Sequence, residues 1–247
     1  MDNQFAGQLN GKQKAWGFIV LLPLYFYVIP AVVNFVIYML VKYGVLPVDQ
    51  NMLGVYLNLF SGLLSLICAY VIFKDFIKDN FIMFKEHLFE NVAWSMTFGI
   101  ASVYIFSIVA NIIINLLIDT SSHSAANQTL FETYLGSSML WMIVQSVIIA
   151  PMLEEFIFRG LIFRTLRKYN KVLAHIVSSF VFGFIHIYTG LFAGDLSQLA
   201  YLFSYGLMGF AFSLAYEKKG TIFVPITIHM LNNFIAVAII VFQSIFH

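Results

Sequence analysis

The sequence predicts an all-α polytopic membrane protein with about seven transmembrane helices, and two observations lead to this fold class. Of the 247 residues, 61% are hydrophobic and only 10% are charged, whereas a soluble domain carries about 25% charged residues. In addition, seven apolar runs reach the roughly 20 residues that a helix needs to cross a bilayer. The net charge of +1 and the absence of a basic cluster argue against nucleic acid as a partner, and the single Cys68 excludes an internal disulfide.

The seven apolar runs form the predicted spans, and polar turns separate them. In chain order the runs cover 16–41, 52–73, 92–118, 139–163, 172–191, 196–216 and 222–246. The connection at 119–138 is rich in Ser, Thr and Asn and holds no Lys or Arg, so we predict a plain polar loop there. Its His123 has no ligand-like spacing to another residue and is predicted to be an ordinary loop histidine.

The segment from Phe73 to Glu90 has the pattern of an interfacial amphipathic helix. Apolar residues recur at helical spacing on one side of the segment, and charged residues fill the other side. Such a helix lies in the membrane surface with its apolar face toward the lipid and its charges in water. The apolar side consists of Phe73, Phe76, Ile77, Phe81, Phe84 and Leu88.

The distribution of positive charge predicts the orientation of the chain. With seven spans, the amino terminus and the connections after spans two, four and six lie on one side, and they hold eleven of the thirteen Lys and Arg residues. Lys42 alone lies on the other side, and Arg159 lies within a span. The positive-inside rule therefore predicts a cytoplasmic amino terminus, and a bacterial plasma membrane is the expected location.

The fourth span carries three charges that a bilayer disfavours, Glu154, Glu155 and Arg159. A charge at membrane depth costs roughly 2.5–3.5 kcal/mol on insertion scales, so it persists where it pairs, lines a wet cavity or takes part in chemistry. Glu155 and Arg159 are four residues apart, in the order that favours an ion pair. Glu154 leaves the helix about 100° away from Glu155, so we predict that it faces a cavity. An ion pair used only for helix packing would leave Glu154 unexplained.

Two later spans each carry one histidine. Phe182 and His186 are four residues apart in the fifth span, and His229 and Asn233 repeat this spacing in the seventh. Each histidine by itself would be an ordinary hydrogen-bonded core residue. Counted from the Lys-rich helix ends at about 1.5 Å per residue, however, Glu154 and both histidines fall in one layer of the membrane. We therefore predict that the three side chains meet in one cavity.

A carboxylate and two imidazoles in one cavity are the components of a hydrolytic site. Glu154, His186 and His229 could hold a divalent metal and activate its water, with zinc as the expected ion. Without a metal, Glu154 could act as the base for a water that His186 positions. His229 or Asn233 could then donate a hydrogen bond to the oxyanion. The residues alone leave these two chemistries open.

In this order on successive spans, the residues resemble the motifs of the CPBP family of intramembrane proteases (CAAX protease and bacteriocin processing, also called Abi). The motifs are Glu154-Glu155-xxx-Arg159, Phe182-xxx-His186 and His229-xxx-Asn233. The resemblance covers about residues 135–240. It divides the chain into amino-terminal helices at 1–134 and a protease core at 135–247, within one integrated membrane domain.

The resemblance implies an intramembrane endopeptidase that acts on a membrane-associated peptide or protein. The implied site residues are Glu154, Glu155, Arg159, His186, His229 and Asn233. By this analogy Glu154 and His186 prepare the attacking water, and the third motif stabilises the oxyanion or completes a metal site. The family is described both as metalloproteases and as glutamate-type proteases, so a divalent metal stays open as a cofactor. Bacterial members are similar to proteins of bacteriocin self-immunity and peptide maturation.

Two other functions stay open at this point. A non-proteolytic membrane scaffold or bacteriocin-immunity factor could have the same fold with a silent site, and its phenotype would survive the replacement of Glu154 or His186. A transporter or channel is the other alternative. Against it, the chain lacks the repeated halves with matched broken segments that many transporters have.

Overall fold

The computed structural model describes residues 4–46, 49–118 and 124–246, and nearly all of them are helical, with no strand in these ranges. The described residues form eight helices. In chain order they are α1 (Gly11–Lys42), α2 (Gln50–Glu86), α3 (Leu88–Leu117), α4 (Ala126–Ser137), α5 (Met139–Arg167), α6 (Lys171–Phe192), α7 (Gln198–Lys219) and α8 (Phe223–Phe246).

Seven of these helices, all except α4, are long and apolar enough to cross a membrane. Each predicted span overlaps one of the seven helices, so the predicted all-α polytopic fold class is confirmed. The cytoplasmic position of the amino terminus stays a prediction, because helix length and composition carry no information about sidedness.

Helix α5 alternates between α-type and π-type turns, and this sets the direction of its polar side chains. Val144–Ile149 and Phe156–Phe163 are wound as π-helix, and Ala150–Glu155 between them is wound as α-helix. Single π turns within helices are frequent at functional sites. Because the α-helical stretch contains both glutamates, Glu154 and Glu155 leave the axis about 100° apart, as their spacing predicts.

The prediction of a separate interfacial helix is wrong. Helix α2 continues without a break through Phe73 to Glu86. Four residues of the predicted apolar side are buried against protein, namely Phe73, Phe76, Ile77 and Phe84, whereas Phe81 and Leu88 are exposed. Phe76, for example, packs against Gly160 of α5. The sequence pattern could not reveal this, because an apolar helix face looks the same whether lipid or protein covers it.

The end of the bundle that carries most of the Lys and Arg residues, among them Lys78, Arg164 and Lys218, is called the Lys-rich end. Hydrogen bonds hold the carboxyl-terminal part of α2 in place at this end. The side chain of Asn80 is fully buried; its Nδ2 donates to the carbonyl oxygen of Ala6 at 3.0 Å, and its Oδ1 accepts from the amide of Ile222 at 2.8 Å. The amide of Ala6 in turn donates to the carbonyl oxygen of Gly220 at 2.9 Å. The amino-terminal segment, α2 and the α7–α8 turn are therefore joined to one another.

The connection predicted as a plain loop contains helix α4, which is a second correction. Ala126–Ser137 packs across α2, and a Cβ added at Gly54 would lie 2.5 Å from the ring of Tyr134. The side chain of Gln198 in α7 accepts a hydrogen bond from the first amide of α4 at 3.0 Å. Tertiary contacts thus stabilise a helix whose composition alone resembles a loop. His123 lies outside the described residues.

Helices α6 and α7 approach each other closely and enclose the functional part of α5. A Cβ added at Gly183 would lie 2.9 Å from the backbone nitrogen of Gly206, so glycine is needed at this contact. One residue earlier, the ring of Phe182 packs against Gly209. Ser178 of α6 donates a hydrogen bond to the carbonyl oxygen of Phe158 in α5 at 2.9 Å. These contacts hold α5, α6 and α7 in a fixed arrangement.

Candidate active site

Glu155 and Arg159 form the ion pair that their spacing predicts. Oε1 of Glu155 lies 2.9 Å from Nη1 of Arg159, and neither side chain is exposed. Nη2 of Arg159 donates to the carbonyl oxygen of Gly209 at 2.7 Å. The guanidinium also lies 4.7 Å from the ring centroid of Phe182 and 5.3 Å from that of Phe212. The buried cation is therefore paired, hydrogen-bonded and in contact with aromatic faces, which makes its burial tolerable.

Glu154 lies on another side of α5 and meets both predicted histidines. Its Oε2 is 3.9 Å from Nε2 of His186 and 3.9 Å from Nε2 of His229. This oxygen is buried and makes no hydrogen bond within the described part of the chain. The structure therefore brings together one carboxylate and two imidazoles from α5, α6 and α8, as the sequence predicts.

The outer nitrogens of both imidazoles are engaged, so their tautomers can be assigned. Nδ1 of His186 lies 2.7 Å from the carbonyl oxygen of Phe182, and Nδ1 of His229 lies 3.1 Å from Oε1 of Glu155. A carbonyl oxygen and an ionised carboxylate only accept hydrogen bonds, so each Nδ1 carries the proton. In the neutral rings each Nε2 then offers a lone pair on the side of Glu154.

The space between the three groups has the width of a bridging water. A separation of 3.9 Å is too long for a direct hydrogen bond, but a water about 2.8 Å from each of two groups spans it. Oε2 of Glu154 and the two Nε2 atoms can all accept hydrogen bonds but none donates one. A water between them can supply the donor, because it donates two hydrogen bonds. The geometry thus suits a water held by Glu154 and one imidazole.

The same three residues have the chemistry of zinc ligands, but their spacing is wider than a zinc site requires. Ligands of a tetrahedral zinc, each about 2.0–2.1 Å from the ion, lie about 3.3 Å from one another, and the separations here are 3.9 Å. Within the described ranges, no group of three or more His, Cys, Asp or Glu has the geometry of a metal site. As placed, the residues do not fit a metal ion, and metal dependence stays a prediction.

Asn233 is held in a fixed orientation beside α5. Its Nδ2 donates to the carbonyl oxygen of Ser146 at 2.8 Å, and its Oδ1 accepts from Nδ2 of Asn232 at 3.2 Å. One N–H of the amide stays available for a further acceptor. Fixed orientation before the reaction is the property that an oxyanion donor needs.

Comparisons with known proteins find sequence similarity over the part of the chain that contains these residues. Residues 136–235 match the family model described as type II CAAX prenyl endopeptidase Rce1-like, and this range contains all of the motif residues. The chain is 29% identical over 199 residues to YdiL of Bacillus subtilis, a protein named as a candidate membrane peptidase, covering 77% of this chain and 75% of YdiL. It is 31% identical over 149 residues to the membrane-embedded CAAX protease MroQ of Staphylococcus aureus, covering 58% of this chain and 55% of MroQ.

The family match over residues 136–235 and these two relatives support a CPBP-type membrane peptidase. A third relative, the UPF0177 protein YvdC of Lactococcus lactis, is 21% identical over 200 residues, covering 78% of this chain and 73% of YvdC. No solved structure matches the chain. The bacterial relatives and the seven apolar helices support a multi-pass membrane protein in bacteria.

Helix α7 contains no predicted site residue, yet it contacts both imidazoles. Tyr205 stacks on His186, with ring centroids 4.5 Å apart and an angle of 20°. Phe212 stacks on His229 at 4.6 Å and 24°. Phe182 lies beside both rings, at 4.7 Å and 5.7 Å. No signal marks these two residues among 27 Phe and 13 Tyr, because only tertiary packing decides which rings stack.

The stacking makes Tyr205 a positioning residue for His186, and this can be tested. We expect Tyr205→Ala to lower kcat by about two- to ten-fold with little change in KM, since an aromatic stacking contact contributes about 0.5–1.5 kcal/mol. Tyr205→Phe keeps the ring and should retain near wild-type kcat. The pH profile of kcat should change for the alanine variant alone. Equal losses in both variants, or a change confined to KM, would contradict the positioning role.

Proposed function

We propose that this protein is an intramembrane endopeptidase that hydrolyses a peptide bond of a membrane-associated peptide or protein. In this proposal Glu154 and His186 activate the attacking water. The observation that carries it is the buried Oε2 of Glu154, which lacks a hydrogen-bond partner in the described chain and lies 3.9 Å from two imidazole nitrogens. A buried carboxylate oxygen without a partner is costly, and a water that is consumed in the reaction satisfies it.

Glu154 acts as the general base in this mechanism. The water donates one hydrogen bond to Glu154 and the other to Nε2 of His186, which leaves an oxygen lone pair free to attack the carbonyl carbon. As the new C–O bond forms, Glu154 takes the proton, and a tetrahedral oxyanion results. Backbone hydrogen bonding at Nδ1 keeps His186 in the tautomer that accepts from the water. A positioned base of this kind contributes about 10²–10⁴ in rate.

Asn233 stabilises the oxyanion by donating its remaining N–H. Glu155 fixes the orientation of His229, since Nδ1 of this ring lies 3.1 Å from Oε1 of the carboxylate. When the C–N bond breaks, Glu154 returns its proton to the leaving amine. Glu155 therefore supports His229 as well as Arg159.

The substrate is a peptide that reaches membrane depth, because the three reacting groups lie on helices long and apolar enough to span a bilayer. The three side chains are largely buried: His186 is 14% exposed, Glu154 10% and His229 4%. An extended peptide backbone can approach such buried groups more closely than a folded domain can. The words prenyl and CAAX belong to the names of the similar family and protein. For this chain we propose only a membrane-associated peptide or protein as substrate.

Comparative peptidomics of cells that carry the wild type or the Glu154→Ala form tests this function. We expect one or more membrane-associated peptides to accumulate uncleaved in the variant cells, and the purified wild-type protein to cleave them in liposomes. If the two peptidomes are identical while deletion of the protein still causes a phenotype that Glu154→Ala rescues, the non-proteolytic scaffold or immunity alternative replaces the proposal.

Adding a chelator to the same cleavage assay distinguishes water activation by Glu154 without a metal from water activation by a bound metal ion. With water activated by Glu154 alone, cleavage should persist after dialysis against a chelator, and metal analysis of the purified protein should find less than one equivalent. Loss of activity on chelation with recovery on zinc addition would instead assign Glu154, His186 and His229 as metal ligands that close by about half an ångström around the ion.

A further inference from the structure

A cavity outside the candidate active site lies between α3 and α7 at the Lys-rich end of the bundle. Its volume is about 440 Å³. Apolar side chains form its walls, and they are Trp94, Phe98, Ala211, Leu214 and Ala215. Lysine and glutamate side chains, Lys171, Glu217 and Lys218, line the end near the helix termini. One end of the cavity is therefore charged, and the rest is apolar.

The position of the cavity along the helices matches one leaflet of a bilayer. Helices α3 and α7 are in contact where Phe106 meets Phe210, with ring centroids 5.5 Å apart. Between that contact and the helix ends, the small Ala211 and Ala215 leave room beside α3. The lining residues of α3 run from Trp94 to Ser102, which is about 12 Å of helix. Half of a hydrocarbon core is about 15 Å thick.

The charged end carries an excess of positive charge. Glu217 is paired with both Arg167, at 2.8 Å, and Lys171, at 2.9 Å, so its charge is already more than balanced. Lys219 pairs with Glu90 and lies 6.0 Å from the ring centroid of Trp94. Lys218 is exposed and makes no ion pair within the described ranges. Among the described residues named here, four cations stand against two carboxylates, and this excess of positive charge favours an anionic ligand.

We propose that this cavity binds an anionic phospholipid of the bilayer. The phosphate lies between Lys171 and Lys218, and an acyl chain follows the apolar wall toward Ser102. Basic pockets between transmembrane helices recognise anionic headgroups in this way, and each lysine near the membrane surface contributes a several-fold gain in affinity. Trp94 lies at the boundary between the two parts, the position that Trp prefers in membrane proteins. The site needs neither Glu154 nor the histidines.

Lipid binding to the full-length protein in nanodiscs tests the proposal, with phosphatidylglycerol as the anionic probe and phosphatidylcholine as the neutral one. We expect native mass spectrometry to detect retained phosphatidylglycerol on the wild type and no comparable retention of phosphatidylcholine. Lys218→Ala should weaken the retention of phosphatidylglycerol by about five-fold. Leu214→Trp, which fills the cavity from a partly exposed position, should weaken it without changing the charge.

Lys78→Ala is the matched control, because Lys78 is an exposed lysine of α2 that does not line the cavity. Equal weakening by Lys78→Ala and Lys218→Ala would show general surface attraction and overturn the site. Equal retention of the two lipids would overturn the anionic ligand. Thermal midpoints in phosphatidylcholine alone should be the same for all variants, which verifies folding. Glu154→Ala should retain phosphatidylglycerol like the wild type, so this result and the test of proteolysis are independent.

Discussion

Replacement of Glu154 by Gln is expected to lower the rate of peptide cleavage by about 10³-fold. The amide has nearly the size and shape of the carboxylate, so the side chain still fits its buried position between the two imidazoles, 3.9 Å from each. It cannot accept the proton of the attacking water, however. The measurement is single-turnover cleavage of a peptide found by the peptidomics comparison, with the purified protein in liposomes.

Glu132→Gln is the control for this experiment. Glu132 is an exposed carboxylate of α4 whose Oε1 accepts a hydrogen bond from Gln128 at 2.7 Å, and the same chemical change there should leave cleavage unaltered. The thermal midpoint of Glu154→Gln should stay close to that of the wild type, since the amide has nearly the same shape and Oε2 makes no hydrogen bond within the described residues that the change would remove. Wild-type cleavage by a folded Glu154→Gln protein would refute the proposed mechanism.

Replacement of Glu155 by Ala is expected to destabilise the protein by about 3–5 kcal/mol, the usual consequence of removing one partner of a buried ion pair. Arg159 would keep its charge in a fully buried position, and within the described ranges the carbonyl oxygen of Gly209 would be its remaining hydrogen-bond acceptor. Nδ1 of His229 would lose its partner at the same time. The free energy of unfolding in detergent, measured by denaturant titration, tests this expectation.

A double replacement separates the ion pair from the role of Glu155 in the site. Glu155→Gln together with Arg159→Met removes both charges, keeps an oxygen for His229, and should recover more than half of the lost stability. Glu86→Ala, at the exposed end of α2, should change stability by less than about 0.5 kcal/mol. If Glu155→Ala is as stable as Glu86→Ala, the pair does not stabilise the fold.

Local sequence patterns correctly predicted the structural features that depend on a single segment of the chain. The length of an apolar run decides whether a helix can cross a bilayer, so seven spans could be predicted. The spacing of four residues between Glu155 and Arg159 decides that they share a helix face, and their 2.9 Å contact follows from it. The three motifs also led to the prediction that Glu154, His186 and His229 meet, and the two 3.9 Å separations agree with it.

Sequence patterns did not predict the features that depend on which helix packs against which. The apolar face of α2 from Phe73 onward was expected to meet lipid, but Phe76 packs against Gly160 of α5 and Phe84 against Phe223 of α8. Helix α4 was expected to be a loop, because its stabilising contacts come from α2 and α7. The second partner of Glu155, the His229 ring, lies on a helix 74 residues away, and no spacing rule connects them.

The sequence by itself determined the membrane-embedded helical architecture and the residue types available for hydrolysis, since both depend on composition and on spacing within one helix. Only the tertiary structure decided that the oxygen of Glu154 lies between two imidazole nitrogens, that Glu155 serves both Arg159 and His229, and that α7 supplies the stacking rings. The physical reason is that these features depend on how close different helices come, and close-packed contacts such as Gly183 against Gly206 set those distances.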